Sequence, residues 1–190
     1  SPDEGALVKA ARCFGYELTG RNTKGLTVTL AGPPSSQEEA GKRSTGKSRA
    51  AAEGTTVTFK RLGTHKFSSA RKRMSVLVLD PRDERCEGEP TAAKGHGAPE
   101  GAWLLCKGAD NKMLDVADPS ASELARKAHA VLDEHLTAFS ERGLRTLVLG
   151  RRWMPWSEVT KWRKDFEAAE RTVGGKDEAR FDGIAATWAH

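Results

Sequence analysis

The sequence has few of the features that mark secreted, membrane-spanning or metal-binding proteins. Its three cysteines, Cys13, Cys86 and Cys106, are widely spaced and form no C-x-x-C pair. An odd number of cysteines without such spacing argues against a disulfide framework and favours a reducing compartment. Neither a signal peptide nor a long apolar run is present. The five histidines show no ligand spacing, so we predict no metal site and no nucleophile–base constellation.

The composition is that of a globular domain with a modest core and long polar loops. Hydrophobic residues make up 37% of the 190 residues and charged residues 30%, and this length is enough for one domain. The net charge of +5 favours anionic partners such as phosphates, nucleic acid or acidic lipid surfaces, without choosing among them. Because the chain begins Ser-Pro-Asp-Glu without an initiator Met, we expect a piece of a larger protein.

Hydrophobic periodicity predicts an α/β protein of the α+β type. A helix capped by Ser1 and Glu4 and ended by Gly15 comes first, and Ser120 with Glu123 is predicted to cap a later helix. The predicted strands are 16–21, 26–30, 56–62, 73–80, 103–107 and 144–149, and the other predicted helices are 111–116, 122–142 and one opening at Pro155. Hairpin links between strands favour an antiparallel central sheet flanked by helices.

Two polar insertions, 31–54 and 81–101, interrupt a single predicted domain of residues 1–173, and residues 174–190 fit no element. Residues 41–48 match the phosphate-loop pattern G-x-x-x-x-G-K-S. That pattern binds phosphate only between a buried strand and a helix, and the residues before it form no buried strand. A chance match is therefore favoured over a phosphate-loop NTPase that uses Lys47.

A basic run precedes the most apolar predicted strand, and it contains Lys66, Arg71, Lys72 and Arg73. On charge alone a solvated edge is favoured over phosphate attraction. Phe67 lies within the run, where an aromatic face beside cations can stack on a base. An aromatic residue that flanks a strand more often belongs to the core, so both interpretations stay open.

Two further features stand at strand ends. Lys107 is followed by Gly108, which either leaves room for close approach of a ligand or simply forms a turn. Arg145 is predicted to be the second residue of a core strand, where it pairs either with a phosphate or with a structural carboxylate. Neither feature decides between its alternatives alone.

Taken in order and spacing, four segments resemble the nucleotide-binding domain of P-type ATPases, and of the phospholipid-flippase subfamily in particular. These segments are residues 1–8, 67–76, 106–110 and 143–147, and the likeness extends over roughly residues 1–170. The resemblance implies that Glu4 accepts a hydrogen bond from the adenine amino group and that Phe67 stacks on the ring, with Ser69 beside it. It implies that Lys107 lines the pocket and that Arg145 contacts the phosphates.

The resemblance also implies what the chain does in its parent protein. The domain would present ATP for phosphorylation of an aspartate in a separate phosphorylation domain, which is its expected partner. The family's Asp-Lys-Thr-Gly segment, its Mg²⁺-binding motifs and its membrane helices do not occur in these 190 residues. We therefore expect Mg²⁺ to bind outside this chain and no turnover by the chain alone.

The expected parent is an ATP-dependent phospholipid translocase, a multi-pass membrane protein with this domain on the cytosolic face. Phospholipid would contact only its membrane domain, and no nucleic acid is expected as a partner. The alternative from another class is a basic nucleic-acid-binding domain, which the net charge and the run at 66–73 motivate.

Overall fold

The computed structural model describes residues 2–23, 25–30, 54–90 and 97–171. Its elements are α1 Pro2–Cys13, β1 Tyr16–Arg21, β2 Gly25–Leu30, β3 Thr55–His65, β4 Arg73–Leu79, a 3₁₀ helix Glu84–Cys86, β5 Gly101–Gly108, α2 Asp110–Leu114, α3 Glu123–Glu141, β6 Val148–Pro155 and α4 Trp156–Arg171. Ser1, the phosphate-loop pattern at 41–48, nearly all of the first insertion and residues 174–190 lie outside the described residues.

The six strands form one sheet, in which their order follows the sequence from β1 to β6. The strand pairs β1–β2, β2–β3, β4–β5 and β5–β6 are antiparallel. The predicted fold class, an antiparallel sheet flanked by helices, is therefore confirmed. The chain divides into two compact units, residues 1–61 and residues 62–190. The assignment of residues 1–173 to a single domain stays a prediction.

In the first unit, α1 begins at Pro2, whose fixed backbone angle suits the first turn of a helix. Asp3 and Glu4 stand in the same turn, where negative charge complements the helix dipole. The helix ends before Gly15, whose positive φ of 85° is the left-handed conformation predicted for it. The predicted hairpin of β1 and β2 follows, and its turn is closed by a 2.8 Å hydrogen bond from the Gly25 amide to the Asn22 side chain.

The second unit has its core on one face of β4, β5 and β6, against α4. Leu77, Leu104 and Met154 come from the three strands, and Val159 and Trp162 from the helix. Each of these side chains is buried, with Leu77, Met154 and Val159 fully so. Burial of this set provides the main stabilisation of the unit, since a buried aliphatic side chain contributes about 1.5–3 kcal/mol.

Two predictions about helix and strand ends were wrong. The N-cap of α3 is Ser122, whose hydroxyl accepts a 3.0 Å hydrogen bond from the Ala125 amide, and not Ser120. Ser120 instead donates to Asp118 in the preceding turn. A serine two residues nearer to the apolar stripe is the one in position to reach a free amide of the first turn.

The last strand also differs from its prediction, since β6 spans Val148–Pro155 and not residues 144–149. In the described sheet β6 is an edge strand that pairs only with β5. Because β5 ends at Gly108, which is the partner of Val148, the residues before Val148 have no strand to pair with. Arg145 therefore lies in the irregular segment that leads into β6, and the prediction that places it inside a core strand was wrong.

Candidate nucleotide-binding site

Three of the four motif segments end at one end of the sheet in the second unit. Arg73, the first residue of β4, pairs with Gly108, the last residue of β5, and Gly108 pairs with Val148, the first residue of β6. The basic run therefore enters the sheet, the Lys-Gly-Ala segment leaves it, and the segment with Arg145 enters it, all at the same place. We call this place, defined by Arg73, Gly108 and Val148, the motif end.

The turn before β4 is held by hydrogen bonds within its own segment. The Lys72 amide donates to the Ser68 carbonyl at 2.8 Å and the Arg71 amide to the Ser68 hydroxyl at 3.3 Å. The Arg71 guanidinium also donates to the Lys66 carbonyl. These bonds give the turn a defined shape although most of its side chains are exposed. Arg71 thus has a structural role in the turn.

Phe67 lies directly before Ser68, the first residue of this turn, with 62% of its surface exposed. It is absent from the core cluster that α4 forms with the sheet. Phe67 is therefore not a core residue, and its stacking on a base stays a prediction. Ser69, two residues on, is exposed in the same turn.

Gly108 joins the basic turn to the Lys-Gly-Ala segment by close packing. A Cβ atom placed on Gly108 would lie 2.5 Å from the Cβ of Arg73 and 2.8 Å from the carbonyl oxygen of Lys72. The Ala109 amide donates to that same Lys72 carbonyl at 3.0 Å. The glycine is thus required by neighbouring atoms of its own chain, a reason that the sequence did not indicate, and close approach of a ligand stays a prediction.

Lys107 lies on the face of the sheet opposite to the core. Its cross-strand partners are Met74 and Leu149, and directly opposed residues of antiparallel strands project to the same face. Its neighbour Cys106 projects to the other face, where its thiol lies 3.5 Å from the sulfur of Met113 in α2. Lys107 therefore emerges among apolar neighbours on what we call the open face.

Exposure shows that the open face is accessible near Lys107. Leu149 is 68% exposed and Leu105, two residues before Lys107, is 39% exposed. Lys107 itself and Met74 are half-buried. A half-buried cation surrounded by accessible apolar side chains offers a surface for a flat, partly apolar ligand that carries negative charge.

Arg145 and Glu4, the other two predicted site residues, lie outside the strands that define the motif end. Arg145 is exposed, three residues before Val148, and so lies next to the motif end in sequence. Glu4 is exposed in the first turn of α1 and belongs to the first unit. The structure brings the segments of Phe67, Ser69, Lys107 and Arg145 to one end of the sheet, and the participation of these residues and of Glu4 in nucleotide binding stays a prediction.

A cluster of charged residues and tryptophans, which the sequence analysis did not predict, lies toward the opposite end of the open face. A groove of about 670 Å³ is lined there by Asp80, Arg82, Asp83, Glu84, Arg85, Trp103 and Arg151. Arg85 lies 4.1 Å from the ring centre of Trp153, and Trp153 packs edge-on against Trp103 at 5.2 Å. The only sequence signal was a pair of tryptophans fifty positions apart, Trp103 and Trp153, which a single sequence does not pair.

Four of the charged residues of this cluster form two aspartate–arginine pairs. Asp83 accepts from both Arg85, at 2.8 and 3.0 Å, and the Trp103 indole, at 2.8 Å. The Arg85 guanidinium is the main cause that lowers the pKa of Asp83 from 3.8 to about 2; desolvation opposes this shift and the Trp103 hydrogen bond adds to it. Asp80 is paired in the same way with Arg82. The cluster holds the segment after β4 against the sheet, and its hydrogen bonds leave it less suited than the motif end to take a charged ligand.

Two negative findings apply to the described ranges 2–23, 25–30, 54–90 and 97–171. No group of three or more His, Cys, Asp or Glu side chains is arranged to hold a metal ion. No helix in these ranges combines the length and apolarity that a membrane crossing requires.

Known proteins resemble this chain over most of its length. The phospholipid-transporting ATPase DNF2 of Saccharomyces cerevisiae is 30% identical over 178 residues, which cover 94% of this chain and 9% of that protein. Phospholipid-transporting ATPase 1 of Arabidopsis thaliana is 32% identical over 177 residues, and phospholipid-transporting ATPase ID of Mus musculus is 32% identical over 164 residues. These cover 93% and 86% of this chain and 12% and 10% of those proteins. No protein-family model matches the chain.

The chain is therefore a homologue of one segment of P-type ATPases. More narrowly, its relatives are the phospholipid-transporting ATPases, the flippases, and it spans about a tenth of their length. The family inferred from the four motif segments is thus confirmed.

Proposed function

We propose that this chain is the ATP-binding domain of a phospholipid-translocating P-type ATPase. In the full-length enzyme the domain presents ATP, with Mg²⁺ bound elsewhere, to an aspartate of a separate phosphorylation domain. The domain acts on the cytosolic face of a membrane, and phospholipid contacts only the membrane part of the parent. The observation that carries the proposal is the meeting of three motif segments at the motif end.

The chemistry of these residues suits ATP. Phe67, exposed beside the basic turn, supplies an aromatic face, and stacking of a base on such a face contributes about 1–3 kcal/mol. Lys107 provides a half-buried cation among apolar side chains, which suits the edge of a purine. Arg145 provides a guanidinium beside the motif end, and a guanidinium matches the geometry of phosphate oxygens. Ser69 lies next to the aromatic ring in sequence, and Glu4 is assigned to the adenine amino group from the family resemblance.

Titration of the ¹⁵N-labelled chain with ATP, followed by amide NMR shifts, tests the proposal. The amides of residues 67–72, 107–109 and 144–146 are expected to shift with a common dissociation constant. If these amides stay unmoved at roughly millimolar ATP, a range in which weak single-site binding of about 4 kcal/mol is detectable, the proposal is wrong.

A matched pair of variants sharpens this test. Phe67→Ala removes the stacking face and is expected to weaken ATP binding by roughly 5- to 150-fold, the equivalent of about 1–3 kcal/mol. Phe14→Ala makes the same change at a phenylalanine that is 77% exposed in the other unit, and affinity is expected to stay within about twofold. Equal affinities for the two variants would contradict the assignment of Phe67.

The alternatives give different results in the same assay. A basic nucleic-acid-binding domain would bind an oligonucleotide in preference to ATP, with affinity that falls steeply as salt rises. A phosphate-loop NTPase would lose ATP binding in Lys47→Ala, whereas the proposed site predicts no change for that variant. Oligonucleotide binding without ATP binding, or loss of binding in Lys47→Ala, would each refute the proposed site.

A further inference from the structure

Lys72 has an unusual backbone conformation at the junction of two motif segments. Its φ is +49°, and it is the one non-glycine residue with positive φ among the described residues. The left-handed region is unfavourable for an ordinary L-residue, whereas glycine adopts it freely. The side chain of Lys72 is exposed, so side-chain burial does not explain the conformation.

Hydrogen bonds on both sides of Lys72 account for its conformation. Its amide donates a 2.8 Å hydrogen bond to the Ser68 carbonyl, which closes the turn directly after Phe67. Its own carbonyl accepts from the Ala109 amide at 3.0 Å, directly after Lys107 and Gly108. Lys72 thus connects the turn that follows Phe67 to the segment that contains Lys107. Both hydrogen bonds depend on the backbone dihedral angles of Lys72.

Close packing restricts the same junction. The Lys72 carbonyl oxygen lies within 2.8 Å of where a Cβ on Gly108 would stand. Because Gly108 has no Cβ, the Lys72 carbonyl keeps the space in which it accepts the Ala109 hydrogen bond. A residue that rejects positive φ would have to release the Ala109 bond, the Ser68 bond, or both.

We infer that Lys72 is a positioning residue for the nucleotide site, acting through its left-handed backbone and not through its charge. The left-handed conformation sets the turn of Phe67 against Lys107, so that the aromatic face and the cation meet the same base. This inference rests on the proposed function, since it concerns the geometry of that same site.

The test is a set of uncharged replacements that differ in their tolerance of positive φ. Lys72→Gly and Lys72→Asn both accept the left-handed region, whereas Lys72→Val disfavours it strongly because of its branched Cβ. All three remove the cation, so any effect of charge is common to them. ATP dissociation constants and hydrogen-exchange protection of the Ala109 amide are measured by NMR for each variant and for the wild type.

We expect Lys72→Gly and Lys72→Asn to bind ATP within about threefold of each other and Lys72→Val to bind about tenfold more weakly than either. Protection of the Ala109 amide is expected to fall in Lys72→Val alone. If Lys72→Val does not fold, as judged by circular dichroism, Lys72→Ala replaces it, with affinity expected between those of the Gly and Val variants.

Control variants separate backbone from general effects. Lys66 is an exposed lysine of the same turn without positive φ, and Lys66→Gly and Lys66→Val are expected to bind ATP equally. If all three Lys72 variants bind equally, or if they lose affinity together, the positioning role is overturned although the ATP site stands. If the amides of residues 67–72, 107–109 and 144–146 of the wild type stay unmoved at roughly millimolar ATP, the proposed function itself fails, and the positioning role fails with it.

Discussion

Gly108→Ala tests whether close packing at the motif end holds the two motif segments together. The added methyl group would lie 2.5 Å from the Cβ of Arg73, 3.0 Å from its Cα and 2.8 Å from the Lys72 carbonyl oxygen. Heavy atoms in contact need about 3.5–4.0 Å, and the crowding atoms are backbone atoms or are bonded directly to backbone. The strands β4 and β5 would therefore have to separate at their paired end.

The expected cost follows from overpacking. Insertion of a methyl group where backbone cannot yield costs about 1–3 kcal/mol, which for a chain of this size lowers the melting temperature by roughly 2–12 °C. ATP affinity should fall as well, because Lys107 and the turn of Phe67 meet at this position. Urea unfolding followed by tryptophan fluorescence, together with an ATP titration, measures both effects.

Gly150→Ala is the matched control on the neighbouring strand. A Cβ on Gly150 would meet only the terminal methyl group of Met113, at 3.1 Å, and this flexible end can move aside. We expect the free energy of unfolding to change by less than about 1 kcal/mol. A glycine inside a strand contributes no side-chain packing, so its replacement by alanine loses no contact. If Gly108→Ala unfolds at the same urea concentration as Gly150→Ala, the account of the motif end is wrong.

Two further predictions concern the second unit. Leu77→Ala, at a fully buried side chain, should lower the unfolding free energy by about 2–5 kcal/mol, whereas Leu149→Ala, at a side chain that is 68% exposed, should change it by less than about 0.5 kcal/mol; similar urea midpoints for the two variants would place the core on the wrong face of the sheet. The pKa of Asp83 is lowered from 3.8 to about 2, so its ionised form stabilises the folded state fully above the unfolded pKa, and this contribution is lost as pH falls toward 2. Asp83→Asn should therefore show a shallower loss of stability than the wild type between about pH 4 and pH 2, and parallel curves would show that the Arg85 pair does not contribute.

Much of the candidate site was predictable because its residues lie in short contiguous strings. The aromatic–basic string, the Lys-Gly-Ala string and the Gly-Leu-Arg string were each recognisable as they stand in the chain. Hairpin spacing also sufficed to predict an antiparallel sheet, since neighbouring strands with short links pair with each other. The left-handed conformation of Gly15 followed from its place after the apolar stripe of α1.

Other features depended on partners distant in sequence. The start of β6 was misplaced because it is set by the end of β5 at Gly108, about forty residues earlier. The cluster of Arg85, Trp103 and Trp153 was missed for the same reason, since its members come from three separate segments. Ser122 and not Ser120 caps α3 because the helix begins at Glu123.

The sequence by itself determined the family, the order of the elements and the residue types at the proposed nucleotide site. Each of these is carried by local strings or by local periodicity, which need no knowledge of the fold. Only the tertiary structure decided that Phe67 is exposed and that Lys107 emerges on the open face. It also decided that Gly108 is a glycine because Arg73 and Lys72 pack against it. These facts follow from strand register, and register is set by pairing between segments that are far apart in the chain.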